Sequence, residues 1–258
     1  MIYARLITVV FLFCSSFAVA QRVDLRKIDH YTENARKEWD CPGLAIGIIH
    51  NDSVVFAKGY GTISSDSEKP VDANTLFGIA SNTKAFTAAA IATFVDDKKI
   101  EWDEKVVQLL PYFRLYNDYV TNEITIRDIL SHRTGLRTFS GDLIWYGSEH
   151  KPREIIERAR YLKPAYGFRA HYGYSNIMYL TAGEIVASLH GKSYENFITE
   201  KFFKPLGMDR SNVSIRHQKK DENVAQPHAK VDGKWIPVPY VNWDNIAPAG
   251  AINSTVND

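Results

Sequence analysis

The sequence predicts an α+β fold, and three observations carry that expectation. A β-hairpin pattern lies between residues 44 and 58, the middle of the chain from about 97 to 210 is mainly helical, and a Pro-rich stretch after Gly207 holds one more hairpin pattern. The 258 residues are 45% hydrophobic and 24% charged, with no internal repeat. Domains of roughly 100–200 residues are the usual unit, so this length suffices for one large core or two lobes. Lys and Arg number 31 against 30 Asp and Glu. That balance lacks the basic excess that phosphate-backbone binding needs, so nucleic acid is not an expected partner.

Residues 1–20 have the pattern of a secretory signal peptide. Arg5 precedes the apolar run Leu6–Cys14, and Ala18-Val19-Ala20 offers small residues for cleavage before Gln21. The run is shorter than the roughly 20 residues that a spanning helix needs, and no later segment could span a bilayer. Residues 21–258 are therefore expected to form one exported domain, periplasmic or secreted. Cleavage would leave Cys41 as the only Cys, which excludes an internal disulfide.

In chain order, Leu25, Ile28, Ala35 and Trp39 repeat at helical spacing, so an amphipathic helix is expected over Asp24–Trp39. Leu44–His50 and Ser53–Lys58 are β-rich runs joined by Asn51-Asp52, residues that tolerate a tight hairpin turn. A short apolar run, Thr75–Ala80, leads to Ser81, and Lys84–Val95 is apolar on nearly every face, so that helix should be buried. Helices are expected at Ile124–Leu130, Pro152–Leu162, Asn176–His190 and Ser193–Phe203, with Gly135, Gly191 and Pro205 as punctuation. Val231–Val238 suggests a short hairpin among Pro227, Pro237, Pro239 and Pro248. Asn253-Ser254-Thr255 with Asn257-Asp258 has the form of a helix start with no helix behind it, and truncation is the expectation there.

Two short patterns can carry chemistry. Ser81-Asn82-Thr83-Lys84 sets a hydroxyl and an amine three residues apart at a helix start, on one face of the first turn. A buried Lys loses its proton more readily, and a neutral amine beside Ser81 can take the hydroxyl proton. The same four residues also fit an ordinary N-cap Ser. The second pattern is Tyr174-Ser175-Asn176, where an aromatic loop meets a helix. A phenol there could relay a proton to a leaving group, and the Asn176 amide could hold a substrate carbonyl or the Lys84 amine. Tyr194-Glu195-Asn196 and Tyr240-Val241-Asn242 share the Tyr-x-Asn form, but the first lies inside an expected helix and the second in the Pro-rich stretch. Tyr146, Tyr166, Phe168, Tyr172 and Tyr174 suit either a cleft wall or the core of the helical region. The eight His form no metal-binding spacing, and no metal or cofactor is implied. His132 beside Ser131 is expected to pack rather than to act as a base, because adjacent helix side chains point apart.

Beyond these patterns, the chain resembles the serine β-lactamase and penicillin-binding protein superfamily, in particular its class C β-lactamase-like branch. The similarity runs through Pro42-Gly43-Leu44-Ala45, Lys58-Gly59-Tyr60-Gly61, Phe77 to Lys84, Ile129 to Leu136, Tyr174-Ser175-Asn176, Lys204-Pro205-Leu206-Gly207-Met208 and Ala247-Pro248-Ala249-Gly250. The resemblance implies an antiparallel sheet with flanking helices beside an all-helical lobe, with the site in the cleft. It also implies Ser81 as the acylated nucleophile, Lys84 as its base, and Tyr174 with Asn176 as the second catalytic element, Asn176 binding substrate. One family feature has no counterpart here: a Lys/His-Thr/Ser-Gly strand beyond Tyr-x-Asn, which in the family supplies an oxyanion-hole N–H. Arg133-Thr134-Gly135 imitates it but precedes Tyr174. The C-terminal strands are therefore expected to be missing.

The function expected is an exported serine hydrolase that forms a Ser81 acyl-enzyme with an amide or ester, a small molecule or peptide such as a β-lactam or a D-amino-acid peptide. The alternative is a non-catalytic envelope or peptidoglycan-binding protein of the same fold, or an inactive fragment.

Overall fold

The computed structural model describes residues 24–218 and 220–258. The expected signal peptide, residues 1–20, lies outside the described residues. The chain divides into two compact units, 1–41 and 42–258. No helix among the described residues is long and apolar enough to cross a membrane.

Helix α1 (Leu25–Glu38) is the described element of the first unit. The Asp24 side chain caps it by accepting from the Arg26 N–H at 3.1 Å, and the Arg36 guanidinium grips Glu33 through two hydrogen bonds of 2.9 and 2.8 Å.

The second unit opens with the hairpin β1 (Gly43–His50) and β2 (Ser53–Gly61). Asn51 and Asp52 both adopt positive φ, 49° and 57°, as a two-residue turn matched to strand twist requires. Strand β2 runs on to Gly61 rather than stopping at Lys58. Its Gly59 is what permits this, since a Cβ there would lie 2.3 Å from the Val71 carbonyl oxygen. The short strand β3 (Phe77–Gly78) leads into a 3₁₀ turn, Ala80–Asn82, and then α2 (Thr83–Asp96).

Helices α3 (Val106–Leu109), α4 (Asp118–Glu123) and α5 (Ile126–Leu130) follow. The start of α5 is a reciprocal cap in which Thr125 and Asp128 satisfy each other's backbone N–H groups. The expected helix from Ile124 thus begins two residues later. Next come α6 (Asp142–Trp145), α7 (Pro152–Arg158) and α8 (Asn176–His190), the last with the expected bounds and the Ser175 hydroxyl as its cap. Helix α9 (Tyr194–Ile198) widens into a π turn over Thr199–Phe203 before α10 (Lys204–Leu206), and α11 (Ile215–Gln218) completes the run. The late hairpin is β4 (His228–Val231) with β5 (Lys234–Pro237), so it starts three residues earlier than expected and turns at Asp232-Gly233. Helix α12 (Ala247–Gly250) and strand β6 (Asn253–Ser254) end the described chain.

Among the described residues the strands form three antiparallel pairs, β1–β2, β3–β6 and β4–β5, rather than one continuous sheet. This corrects the helix start expected at Asn253: the residue is a strand residue, opposite Gly78, with Ser254 opposite Phe77. Only Thr255 behaves as a cap, its hydroxyl accepting from the Asp258 N–H at 3.0 Å.

The core is built around α8, whose Ile177, Met178, Leu180, Ile185 and Val186 are buried, and α2, whose Ala90, Ile91 and Phe94 are buried with them. The apolar helix expected to be buried is so on this face, while most of its other positions up to Val95 are half-buried. Helix α12 packs against both, and at Gly183 a Cβ would fall 2.0 Å from the Pro248 ring. Gly183→Ala is accordingly expected to lower stability by about 1–3 kcal/mol through overpacking. A thermal melt checks this, and an unchanged midpoint would show that α12 can move away freely.

Candidate active site

The turn into α2 determines where Ser81 points. Ala80 sits at φ 46°, a left-handed conformation that costs a non-Gly residue energy and persists only where neighbours enforce it. The neighbours are Ile252, whose carbonyl accepts from the Ile79 N–H at 2.9 Å, and the Thr83 hydroxyl, which accepts from the Ile252 N–H at 3.1 Å. Ser81 is left exposed, while Lys84, one turn on, is buried to 7% exposure. The Ser81 N–H belongs to a first helical turn, where the helix offers it no acceptor and where developing negative charge is favoured.

The Lys84 amine has three partners: Ser81 Oγ at 3.1 Å, Asn176 Oδ1 at 2.8 Å and the Ala249 carbonyl at 2.7 Å. Two of these can only accept, so they claim the two N–H bonds of a neutral amine. Its lone pair then faces Ser81, the one partner able to donate. The orientation of the Asn176 amide is fixed by chemistry as well, because its Nδ2 donates to the Asp142 carboxylate at 3.0 Å and its oxygen must therefore face Lys84. Burial lowers the Lys84 pKa from its usual value to about 8, with the charge of Asp142 opposing the shift.

Tyr174 completes the group. Its hydroxyl donates to Ser81 Oγ at 2.5 Å, and its ring lies 4.7 Å from the Lys84 nitrogen. The loop that carries it is tied down at four points. The Gly173 N–H donates to the His132 carbonyl at 2.9 Å, the Tyr174 N–H to Thr138 Oγ1 at 3.2 Å, the Phe139 N–H to the Tyr174 carbonyl at 2.8 Å, and the Ser175 N–H to His132 Nδ1 at 3.0 Å. The His132 ring also lies 4.7 Å from that of Tyr174. Burial, with the charge of Lys84 second, lowers its pKa to about 4, so the imidazole is neutral and keeps Nδ1 free to accept. The expectation that His132 packs is met, but what it packs against is the loop of Tyr174.

All four sequence candidates, Ser81, Lys84, Tyr174 and Asn176, thus come together. The structure refines Asn176: its oxygen is committed to Lys84 and one N–H to Asp142, which leaves one N–H for a substrate. The other Tyr-x-Asn patterns lie elsewhere, with Tyr194 buried and hydrogen-bonded to Thr87 at 2.7 Å, and Tyr240 donating to the Ala225 carbonyl. Arg133-Thr134-Gly135 is a turn whose guanidinium donates to the Arg169 carbonyl at 3.1 Å.

An open cleft of about 460 Å³ faces Ser81, lined also by Phe139, Asp142, Leu143, Trp145, Tyr146, Tyr174, Asn176 and Trp243. Of the five aromatics named from the sequence, Tyr146 and Tyr174 line it. Tyr166 instead pairs with His171, Tyr172 with His132, and Phe168 packs against the core. Sequence reasoning missed Asp142, Ala249 and the wall of Phe139, Leu143, Trp145 and Trp243. The described residues hold no group of three or more His, Cys, Asp or Glu that could bind a metal ion.

An amine and a phenol held against one exposed serine hydroxyl form an arrangement suited to a serine hydrolase. The chain belongs to the beta-lactamase family, whose model matches residues 28–258. It is 35% identical over 233 residues to an unguisins hydrolase of Aspergillus campestris, covering 85% of this chain and 43% of that one. In structure it is similar to the octameric penicillin-binding protein homologue of Pyrococcus abyssi, with a TM-score of 0.78, 28% identity, and 91% and 54% of the two chains covered. It is also similar to the D-amino acid amidase of Ochrobactrum anthropi SV3, with a TM-score of 0.74, 22% identity, and 90% and 68% covered. The fold is therefore β-lactamase/transpeptidase-like. The chain spans less than half the length of the fungal relative.

Proposed function

We propose that this chain carries the acyl-transfer site of an exported serine hydrolase acting on amides or esters, with β-lactams and D-amino-acid peptides as the leading substrates. The observation that carries the reading is Ser81 Oγ held at once by the Lys84 amine and the Tyr174 hydroxyl at the mouth of an open cleft. Ser81 Oγ bonds to the substrate carbonyl carbon as its proton passes to neutral Lys84. The carbonyl π electrons move to oxygen, facing the N–H of Ser81. When they return, the bond to the leaving nitrogen or oxygen breaks, and the Tyr174 hydroxyl protonates the departing group. The Lys84 ammonium restores the Tyr174 proton. Water then repeats the sequence on the acyl-enzyme and frees Ser81.

The family and the hydrolase name of the fungal relative support this reading. The alternative reading is a non-catalytic peptidoglycan-binding protein of the same fold, in which Ser81 is not acylated.

The pH profile separates the two. Lys84 must be neutral to act, and its pKa lies at about 8. Below that value the neutral fraction falls about tenfold per pH unit, so acylation by a chromogenic ester should rise steeply from pH 6 and level off above pH of about 8. A rate independent of pH across that range, or no burst of product at all, would contradict the proposal.

A further inference from the structure

The Tyr174 hydroxyl reaches Ser81 Oγ at 2.5 Å from a loop, so its placement depends on what holds that loop. A misplacement of about 1 Å costs a positioned group about 100-fold in rate.

His132 supplies three of the constraints. Its backbone carbonyl accepts from the Gly173 N–H at 2.9 Å and its Nδ1 accepts from the Ser175 N–H at 3.0 Å, so one residue brackets Tyr174 along the chain. The peptide unit that joins Tyr174 to Ser175 is thereby clamped at both polar atoms, since its carbonyl accepts from the Phe139 N–H at 2.8 Å. A planar unit held at both atoms fixes the backbone of Tyr174, and with it the direction in which the side chain leaves. The ring of His132 is the third constraint, 4.7 Å from that of Tyr174 and tilted 35° to it. Ser175 is fully buried, so its N–H cannot turn to water for another acceptor.

His132 is itself held firmly. It is buried, its ring lies 5.1 Å from that of Tyr179 on α8, and the Tyr179 hydroxyl donates to the Leu130 carbonyl at 3.0 Å. Its φ of 59° is a left-handed conformation that a non-Gly residue keeps only where its surroundings enforce it, and such strain collects at functional sites.

We infer that His132 is the positioning residue of the leaving-group acid: its Nδ1 and ring hold the Tyr174 phenol on Ser81, and so decide whether the site releases poor leaving groups or only activated ones. The inference rests on the acyl-transfer reading of Ser81. His132 touches no reacting atom in that reading and acts through Tyr174.

The test compares ethyl butyrate with para-nitrophenyl butyrate, which share an acyl group and differ in whether the departing oxygen needs a proton. His132→Phe keeps a ring and removes the acceptor, whereas His132→Asn offers an oxygen near the position of Nδ1 and tolerates a left-handed φ. The ratio of ethyl to nitrophenyl kcat/KM is expected to fall about 10–100-fold in His132→Phe and to stay within about threefold of the parent in His132→Asn. In a Tyr174→Phe background, adding His132→Phe should lower the ratio no further, because the acid is already gone. A general weakening of the fold lowers both rates together and leaves the ratio in place. An unchanged ratio in His132→Phe, an Asn variant as impaired as the Phe variant, or the same fall in the Tyr174→Phe background would each overturn the inference. So would a parent that turns over the nitrophenyl ester alone. Labelling of the parent by a serine-directed phosphonate separates the failures: with Ser81 labelled, those outcomes sink this inference only, and with Ser81 unlabelled the acyl-transfer reading fails with it.

Discussion

Lys84→Met is expected to slow acylation of Ser81 by about 10²–10⁴-fold, the range that a positioned general base supplies. Met fills a similar volume, so the apolar contacts of the stem persist and the loss is chemical. In the proposed mechanism the amine takes the Ser81 proton, lying at 3.1 Å with its other two contacts occupied by acceptors. The rise of rate through pH of about 8 should disappear together with the rate, since the titrating group is gone. Stopped-flow acylation by an activated ester measures both. A variant within about tenfold of the parent, still showing the same pH profile, would assign the base to another residue.

Tyr174→Phe is expected to cost about 10²–10⁴-fold on amides and clearly less on nitrophenyl esters. An amine cannot depart without a proton, whereas nitrophenolate can. The substitution removes the 2.5 Å hydrogen bond to Ser81 but leaves the ring against His132, so the loop should hold its place. The ratio of amide to ester rates reports the acid role and cancels any general disturbance of Ser81. Equal losses on both substrates would mean that Tyr174 positions the nucleophile and does not protonate the leaving group.

The parts of this site that were legible in the sequence are those fixed by short-range geometry. Ser81 and Lys84 share one helical turn, and Tyr174 and Asn176 flank a helix cap, so the residue types and their spacing already imply their juxtaposition within each pair. That the two pairs meet is a tertiary fact, supplied at the sequence level only by the family resemblance. Asp142 left no trace, because it belongs to a four-residue helix with no periodicity and its contact to the site is with Asn176, a residue distant in sequence. Ala249 escaped as a site residue for a different reason: its backbone carbonyl, not its side chain, is the partner of Lys84. The hairpin of β1 and β2 was readable from Asn51-Asp52 and β-rich flanks. Strand β6 was not, since two residues carry no alternation and its polar Asn253-Ser254 pair has the composition of a cap. The aromatic wall shows a third limit. Tyr166, Phe168 and Tyr172 share a loop with Tyr174, yet backbone ties turn them toward His171, the core and His132, while Trp243 arrives from the Pro-rich stretch.

The central claim is that Ser81 is an activated nucleophile, and intact-mass measurement tests it most directly. The parent and Ser81→Ala, both verified as folded by circular dichroism, are exposed separately to a broad serine-directed phosphonate and to a penicillin. The account predicts a single phosphonyl adduct on the parent and none on Ser81→Ala, with the penicillin arm reporting whether a β-lactam also acylates the site. A folded parent that gains no adduct from either reagent, or a Ser81→Ala variant labelled as readily as the parent, would contradict it.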